Sequence, residues 1–263
     1  MTTRRQFLAT SLAAAGAITI MPYGAMAAAH ASNTFETDAG QITIHPVSHA
    51  SFVMETPAGT IYSDPVGDPS EYSDFPEPDL ILITHEHGDH YSPETLAGIV
   101  GENTRLVTNQ PVFDMLSDEL KAKAEPIAQG ASTEAAGVPI ETIPSYNITE
   151  GREQFHPKER GDVGYILTIG GKRIYISGDT EATDEMRALE NIDLAFVCMN
   201  LPFTMTAEQA AAGVAAFKPG VCYPYHYRGR DGGTQDPEEF ARLVAAEADD
   251  VDVKIGTWYP DGL

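Results

Sequence analysis

The chain has 263 residues, 42% of them hydrophobic and 21% charged, which is enough apolar material for a substantial core and excludes disorder as its general state. Two cysteines, 23 glycines and 18 prolines exclude a disulfide scaffold and a collagen-like chain. Acidic residues outnumber basic ones 39 to 16, and the net charge of −23 repels phosphate backbones and anionic lipid, which argues against a nucleic-acid binder but not against a small substrate in a locally positive cleft.

Residues 1–29 read as an export signal. Arg4 and Arg5 precede an apolar stretch from Phe7 to about Met26, and Ala25-Met26-Ala27 offers the small-x-small pattern of a processing site. The paired arginines followed by Phe7-Leu8 resemble a twin-arginine signal, which exports folded proteins. An uncleaved anchor is the alternative, but the Ala/Gly-rich stretch and its Ala-x-Ala end favour cleavage. The expected product is a single domain over 30–263, periplasmic or secreted, with no stable membrane anchor.

The first third beyond residue 40 is expected to be a β-meander, with strands over 41–47, 51–56 and 60–63 and a hairpin turn at Pro57-Ala58-Gly59. Leu80-Ile81-Leu82-Ile83 is a continuous apolar run, the pattern of a strand buried on both faces. Ser92-Pro93 supplies an N-cap and a first-turn proline, so a helix begins there. Helix and strand signals alternate to about residue 129. Strands follow over 140–143, 164–169 and 173–177, then a helix over 181–189, a strand over 194–197, a helix over 206–217, a strand over 221–224 and a helix over 237–246. The two halves repeat in type, β then α, without repeating in sequence. That suits an α/β fold in which two sheets pack face to face with helices outside. Long loops over 65–78 and 146–162 are the kind that serve a site. Cys198 and Cys222 fall in apolar strands, where two buried thiols are the simpler reading and a disulfide the alternative.

Thr84-His85-Glu86-His87-Gly88-Asp89-His90 directly follows the apolar run at 80–83. Three imidazoles and a carboxylate within six residues cannot all be packing residues, because each leaves polar atoms to satisfy. On a loop they can converge: His85 and His87, two apart, share one side of an extended backbone, and Gly88 is expected to let the chain turn and bring Asp89 and His90 round. Neutral imidazoles and carboxylates suit zinc, and also iron or manganese.

The segment resembles the His-x-His-x-Asp-His motif of the metallo-β-lactamase superfamily. Asp179 in Ser177-Gly178-Asp179-Thr180 looks like that family's bridging aspartate, and His226 in Tyr225-His226-Tyr227 like its late histidine. Within the superfamily, His49-Ala50-Ser51-Phe52, Ser63-Asp64-Pro65-Val66 and the stretch from Met199 to Met205 are similar to the branch of the ascorbate-6-phosphate lactonases and the phospholipase D acting on N-acylphosphatidylethanolamine. The resemblance implies a four-layer αββα sandwich. It implies one metal held by His85, His87 and a third histidine, a second held by Asp89, His90 and His226, and Asp179 between them. Relatives often carry the third histidine in a Pro-x-x-His context; here Pro144-Ser145-Tyr146-Asn147 ends in asparagine. Either His156 swings in as the ligand or Asn147 makes a weaker oxygen contact, and His156 is the expected one. Two zinc ions are expected, with a one-metal centre as the alternative.

His49 is a candidate substrate contact or a structural histidine, and Asp64 is a candidate hydrogen-bond partner of a ligand histidine or a turn-forming aspartate. Lys158, Arg160, Arg228 and Arg230 lie beside His156 and His226 and point to an anionic group on a small-molecule substrate. The implied chemistry is a metal-activated hydroxide attacking an ester, lactone, amide or phosphodiester, with Asp89 orienting the nucleophile and accepting its proton. A true β-lactamase, and a non-catalytic metal-binding protein with a decayed site, are the alternatives.

Overall fold

The computed structural model describes residues 33–260; the expected export signal lies outside them. One seven-stranded sheet runs in chain order through β1 (Thr34–Thr37), β2 (Gly40–Ser48), β3 (Ser51–Thr56), β4 (Gly59–Ser63), β5 (Leu80–Ile83), β6 (Arg105–Thr108) and β7 (Ala124–Pro126). The second has β8 (Ser132–Ala135), β9 (Val138–Pro144), β10 (Val163–Ile169), β11 (Lys172–Ile176), β12 (Leu194–Cys198), β13 (Val221–Tyr225) and β14 (Asp252–Val253), again in chain order. In each sheet the first four strands are antiparallel and the rest pair in parallel. The halves expected to repeat in type therefore repeat strand for strand.

The alternation of side chains sets the layers. Ile42, Ile44, Phe52, Met54, Ile61, Leu80, Leu82 and Val107 join one core with the second sheet, and Phe52 stacks on Phe196 at 4.3 Å between ring centroids. Val53, Tyr62, Ile81, Ile83 and Leu106, on the opposite face, pack under α1 (Pro93–Ile99), α2 (Gln110–Met115) and α3 (Asp118–Lys121). The second sheet carries α4 (Asp184–Arg187), α5 (Ala207–Phe217) and α6 (Pro237–Glu247). This is the αββα sandwich.

Capping chemistry explains the helix starts. The Ser92 hydroxyl accepts from Thr95 N with Pro93 in the first turn, and Thr206 forms a capping box with Gln209. The helix expected over 181–189 shrinks to the single turn α4. Glu181 accepts the amides of Ile148 and Thr149 instead of entering a helix, and Thr183 caps the turn that follows. The loop over 65–78 does not reach the functional site. It folds through a 3-10 turn and accepts a hydrogen bond from Thr95 of α1 at Gly67. Cys198 and Cys222 are both free and buried.

Candidate metal centre and its relatives

Parallel strands of both sheets end at one edge, and the loops after them converge. Asp64 follows β4, residues 84–90 follow β5, Asp179 follows β11, Asn200 follows β12 and His226 follows β13. His49 comes from the β2–β3 turn and His156 from the β9–β10 loop. Three of these residues, His49, Asp64 and His226, hold φ between 43° and 54°, a left-handed conformation that costs non-glycine residues energy and clusters at functional sites. Gly178 must be glycine: its φ is +59°, and a Cβ there would meet Val163 O at 3.0 Å and Thr84 Cβ at 3.1 Å. Gly88 was expected to supply a sharp turn and does so without a left-handed φ. The turn closes through His90 N and Tyr91 N donating to His87 O, and Gly88 lies on the cavity wall.

The seven residues expected as ligands come together. His85 Nε2 stands 3.0 Å from His87 Nδ1, and both share a group with His156. His90 Nε2 stands 3.0 Å from His226 Nε2, and His226 Nε2 is 3.4 Å from Asp89 Oδ2. Asp179 lies between: Oδ1 is 3.4 Å from both His90 Nε2 and His226 Nε2, while Oδ2 is 3.4 Å from His156 Nε2. Asp179 Oδ1 is buried without a hydrogen-bond partner. Imidazole nitrogens facing one another around an orphaned carboxylate oxygen fit divalent cations, whose charge would satisfy all of them at once.

The supports of these side chains are built in. Asp64 accepts Thr84 N and the Thr84 hydroxyl, both at 2.8 Å, and lies 2.8 Å from His90 Nδ1. The Thr84 oxygen is also 3.0 Å from His85 Nδ1. Asn200 Nδ2 lies 2.7 Å from His226 Nδ1. Asp64, expected as a turn former or a partner of a ligand histidine, lies against His90. His49 lines the cavity, with Nδ1 2.6 Å from the Tyr259 hydroxyl and Nε2 3.4 Å from Asp89 Oδ2.

His156 and not Asn147 joins the histidine group. Asn147 donates its amide nitrogen to Arg152 O and Phe203 O, and its backbone N–H to His156 O, so it ties the loop that carries His156. Arg152 reaches across to Thr204 O and Glu181, closing the same loop. Of the four cations read from the sequence, Lys158 pairs with Glu185 outside the cavity, and Arg160 is bonded to Asp162 behind the histidines. Arg228 and Arg230 line the cavity.

That cavity is ≈ 700 Å³ and is lined by His49, His87, Asp89, His156 and Asp179 at its floor, with Phe155, Phe203, Arg228 and Arg230 around them. Electrostatics inside it are uneven. Burial, then the neighbouring His90, hold His85 well below the usual imidazole value; burial, then Arg160 and His156, bring His87 down to about 4. Burial alone would lower His90, but Asp179 and Asp64 raise it well above. Burial would raise Asp89 and Asp179, yet the surrounding histidines hold both carboxyls below their ordinary range.

Sequence reasoning missed Asn200, Asp162 and Tyr259 as parts of the site. Asn200 stands just past the apolar strand β12, and that place at a strand's C-terminal end is the signal that marks it. Tyr259 meets His49 from 210 residues away, and no local pattern marks it.

A family profile described as "Beta-lactamase superfamily domain" matches residues 43–226. The chain is 31% identical over 189 residues to a UPF0173 metal-dependent hydrolase of Pyrococcus abyssi, covering 70% of this chain and 81% of that one. It is 33% identical over 190 residues to the corresponding protein of Pyrococcus horikoshii, with the same coverage of 70% and 81%. Among solved structures, a candidate metal-dependent hydrolase from Parabacteroides distasonis superposes with TM-score 0.73 at 37% identity, covering 84% of this chain and 96% of that one. The chain belongs to the metallo-β-lactamase superfamily and is one of its metal-dependent hydrolases.

Proposed function

We propose that this enzyme is an exported hydrolase with a two-zinc centre that cleaves an ester, lactone, amide or phosphodiester bond in a small anionic molecule. The observation that carries the two-metal reading is Asp179, which turns one oxygen toward His90 and His226 and the other toward His156. His85, His87 and His156 would hold one ion and Asp89, His90 and His226 the other, with Asp179 serving both. When bound, the ions supply an activated water and polarise the oxygen that gains charge during attack.

The remaining steps belong to the chain. Asp89 lines the cavity with its carboxyl held ionised by His226 and His49, so it can orient the attacking water and accept its proton. The Tyr259 hydroxyl accepts from Arg228 N and lies 2.6 Å from His49 Nδ1, while Asp89 Oδ2, which can only accept while ionised, lies 3.4 Å from His49 Nε2 and calls for a proton there. His49 therefore positions Asp89. Arg230 is exposed at the cavity mouth over the Phe203 ring, and Arg228 lies over Tyr259; this pair supports an anionic substrate group, with Phe155 and Phe203 meeting its apolar part.

Metal analysis of the purified enzyme together with turnover of a panel of carboxylate- and phosphate-bearing esters, lactones, amides and phosphodiesters tests this reading. Two equivalents of zinc and preference for the anionic members are expected; full activity with no bound metal refutes it. Export is tested separately: Arg4→Lys with Arg5→Lys should leave the precursor inside the cell, and normal appearance of the mature form outside would refute a twin-arginine route.

A further inference from the structure

A neutral imidazole that is to hold an ion must turn a lone pair inward and an N–H outward, so its outward partner should be an acceptor. His90 Nδ1 faces Asp64 Oδ2 at 2.8 Å. His85 Nδ1 faces the Thr84 oxygen at 3.0 Å, and since that hydroxyl donates its one proton to Asp64 it accepts from His85. His87 differs. Its outward Nε2 lies 2.8 Å from Arg160 Nη1, and a guanidinium only donates. The bond therefore places the lone pair of His87 outward and its N–H on Nδ1, the nitrogen that faces His85. Turning the lone pair inward sets N–H against N–H. Arg160 also brings Nη2 within 2.9 Å of His156 Nδ1. It is not free to withdraw: Nε and Nη2 both bond Asp162, which is buried, and Glu86 Oε1 lies 3.3 Å from Nε.

The two halves of the cluster therefore differ in the group held directly against their outward ring nitrogens. Behind His87 and His156 is a fixed guanidinium, itself paired with Asp162 and Glu86, and Asp162 Oδ2 also lies 3.3 Å from His156 Nδ1. Around His90 and His226 are Asp89 and, behind His90, Asp64. Asp179 is shared. A carboxylate behind a histidine strengthens it as a ligand, and a cation there weakens it.

We propose that Arg160 makes the two halves unequal, so that a divalent cation settles first among Asp89, His90 and His226 and a second, more weakly, among His85, His87 and His156. This rests on the two-metal reading above. The weaker half is then the one that fills or empties as the metal supply changes.

The test is Zn²⁺ titrated into the chelator-stripped full chain, with a chromogenic chelator reporting free zinc. Two ions should bind, the second about ten-fold or more weaker than the first. His226→Gln should abolish the tight phase and His87→Gln the weak one. Arg160→Gln, which removes the charge, should tighten the weak phase about ten-fold, whereas Arg160→Lys, which keeps it, should leave the gap open. Circular dichroism checks that each variant is folded. If Arg160→Gln unfolds, the parent titration together with His226→Gln and His87→Gln still decides which half fills first, and Arg160→Lys decides whether the gap persists with the charge kept. Equal affinities in the parent enzyme overturn the proposal, as does loss of the weak phase in both Arg160→Gln and Arg160→Lys, which would make Arg160 a support. Binding of no zinc at all overturns the two-metal reading, and the proposal with it.

Discussion

Asp179 is buried, ionised and half-unpartnered, a state that costs several kcal/mol unless a cation offsets it. Asp179→Asn should therefore release both ions on dialysis against a weak chelator and lower turnover by orders of magnitude, while the fold persists by circular dichroism; retention of both ions would remove the bridging role. His156 and Asn147 separate in the same assay. His156→Ala should lose about one equivalent of metal, because only His85, His87 and the shared Asp179 would remain to hold that ion. Asn147→Ala should keep its metal and instead destabilise the fold by about 1 kcal/mol, the net worth of its hydrogen bonds to the half-buried carbonyls of Arg152 and Phe203. The dense segment from His85 to His90 was legible because no packing role accounts for so many polar rings in six residues. His156 was legible only against a resemblance, since a lone histidine nine residues past Asn147 has no local signature. Thr84 and Asp162 act through partners that chain order does not reveal.

Elements explain why these residues meet. A parallel strand ends with its carboxyl edge toward the crevice, and β4, β5, β11, β12 and β13 all end at the same edge. Strand positions were legible because buried strands here are short apolar runs bounded by turns, so β3 and β5 match expectation residue for residue. The edge strands β1, β8 and β14 were not: they are short and half-exposed, and their pairing comes from neighbours, not from pattern. The helix expected over 181–189 failed because Glu181 is engaged by the amides of a loop more than thirty residues earlier. β12 and β13 carry the two cysteines, and burial pushes the Cys198 thiol up to about 12, with Cys222 raised further by the same cause. At pH 8 both remain protonated and covered. A chromogenic disulfide reagent should find no reactive thiol in the native enzyme and two after unfolding in guanidinium; prompt labelling of either in the native state would contradict the packing of these strands.

At the scale of the molecule the candidate ligands divide between the sheets: His85, His87, Asp89 and His90 come from the first, His156, Asp179 and His226 from the second. Bound ions would thus tie together two sheets that otherwise meet through their apolar faces. Without them, Asp64, Asp89 and Asp179 face one another's field in a chain already at −23. At free zinc about 1,000 times the dissociation constant, linkage stabilises the native state by about 4 kcal/mol. For a chain of this size each kcal/mol moves Tm by about 2–4 °C, so the stripped enzyme should melt roughly 8–16 °C below the loaded one. Micromolar zinc should restore the difference and added sodium chloride should not, because screening weakens repulsion among exposed charges without replacing a ligand's partner. Scanning calorimetry of the same sample before stripping, after stripping and after zinc is returned, with metal content measured at each stage, decides the matter. An unchanged Tm in protein shown to have lost its metal would mean that the sheets are held by their apolar interface alone, and that the centre sits on a scaffold already rigid without it.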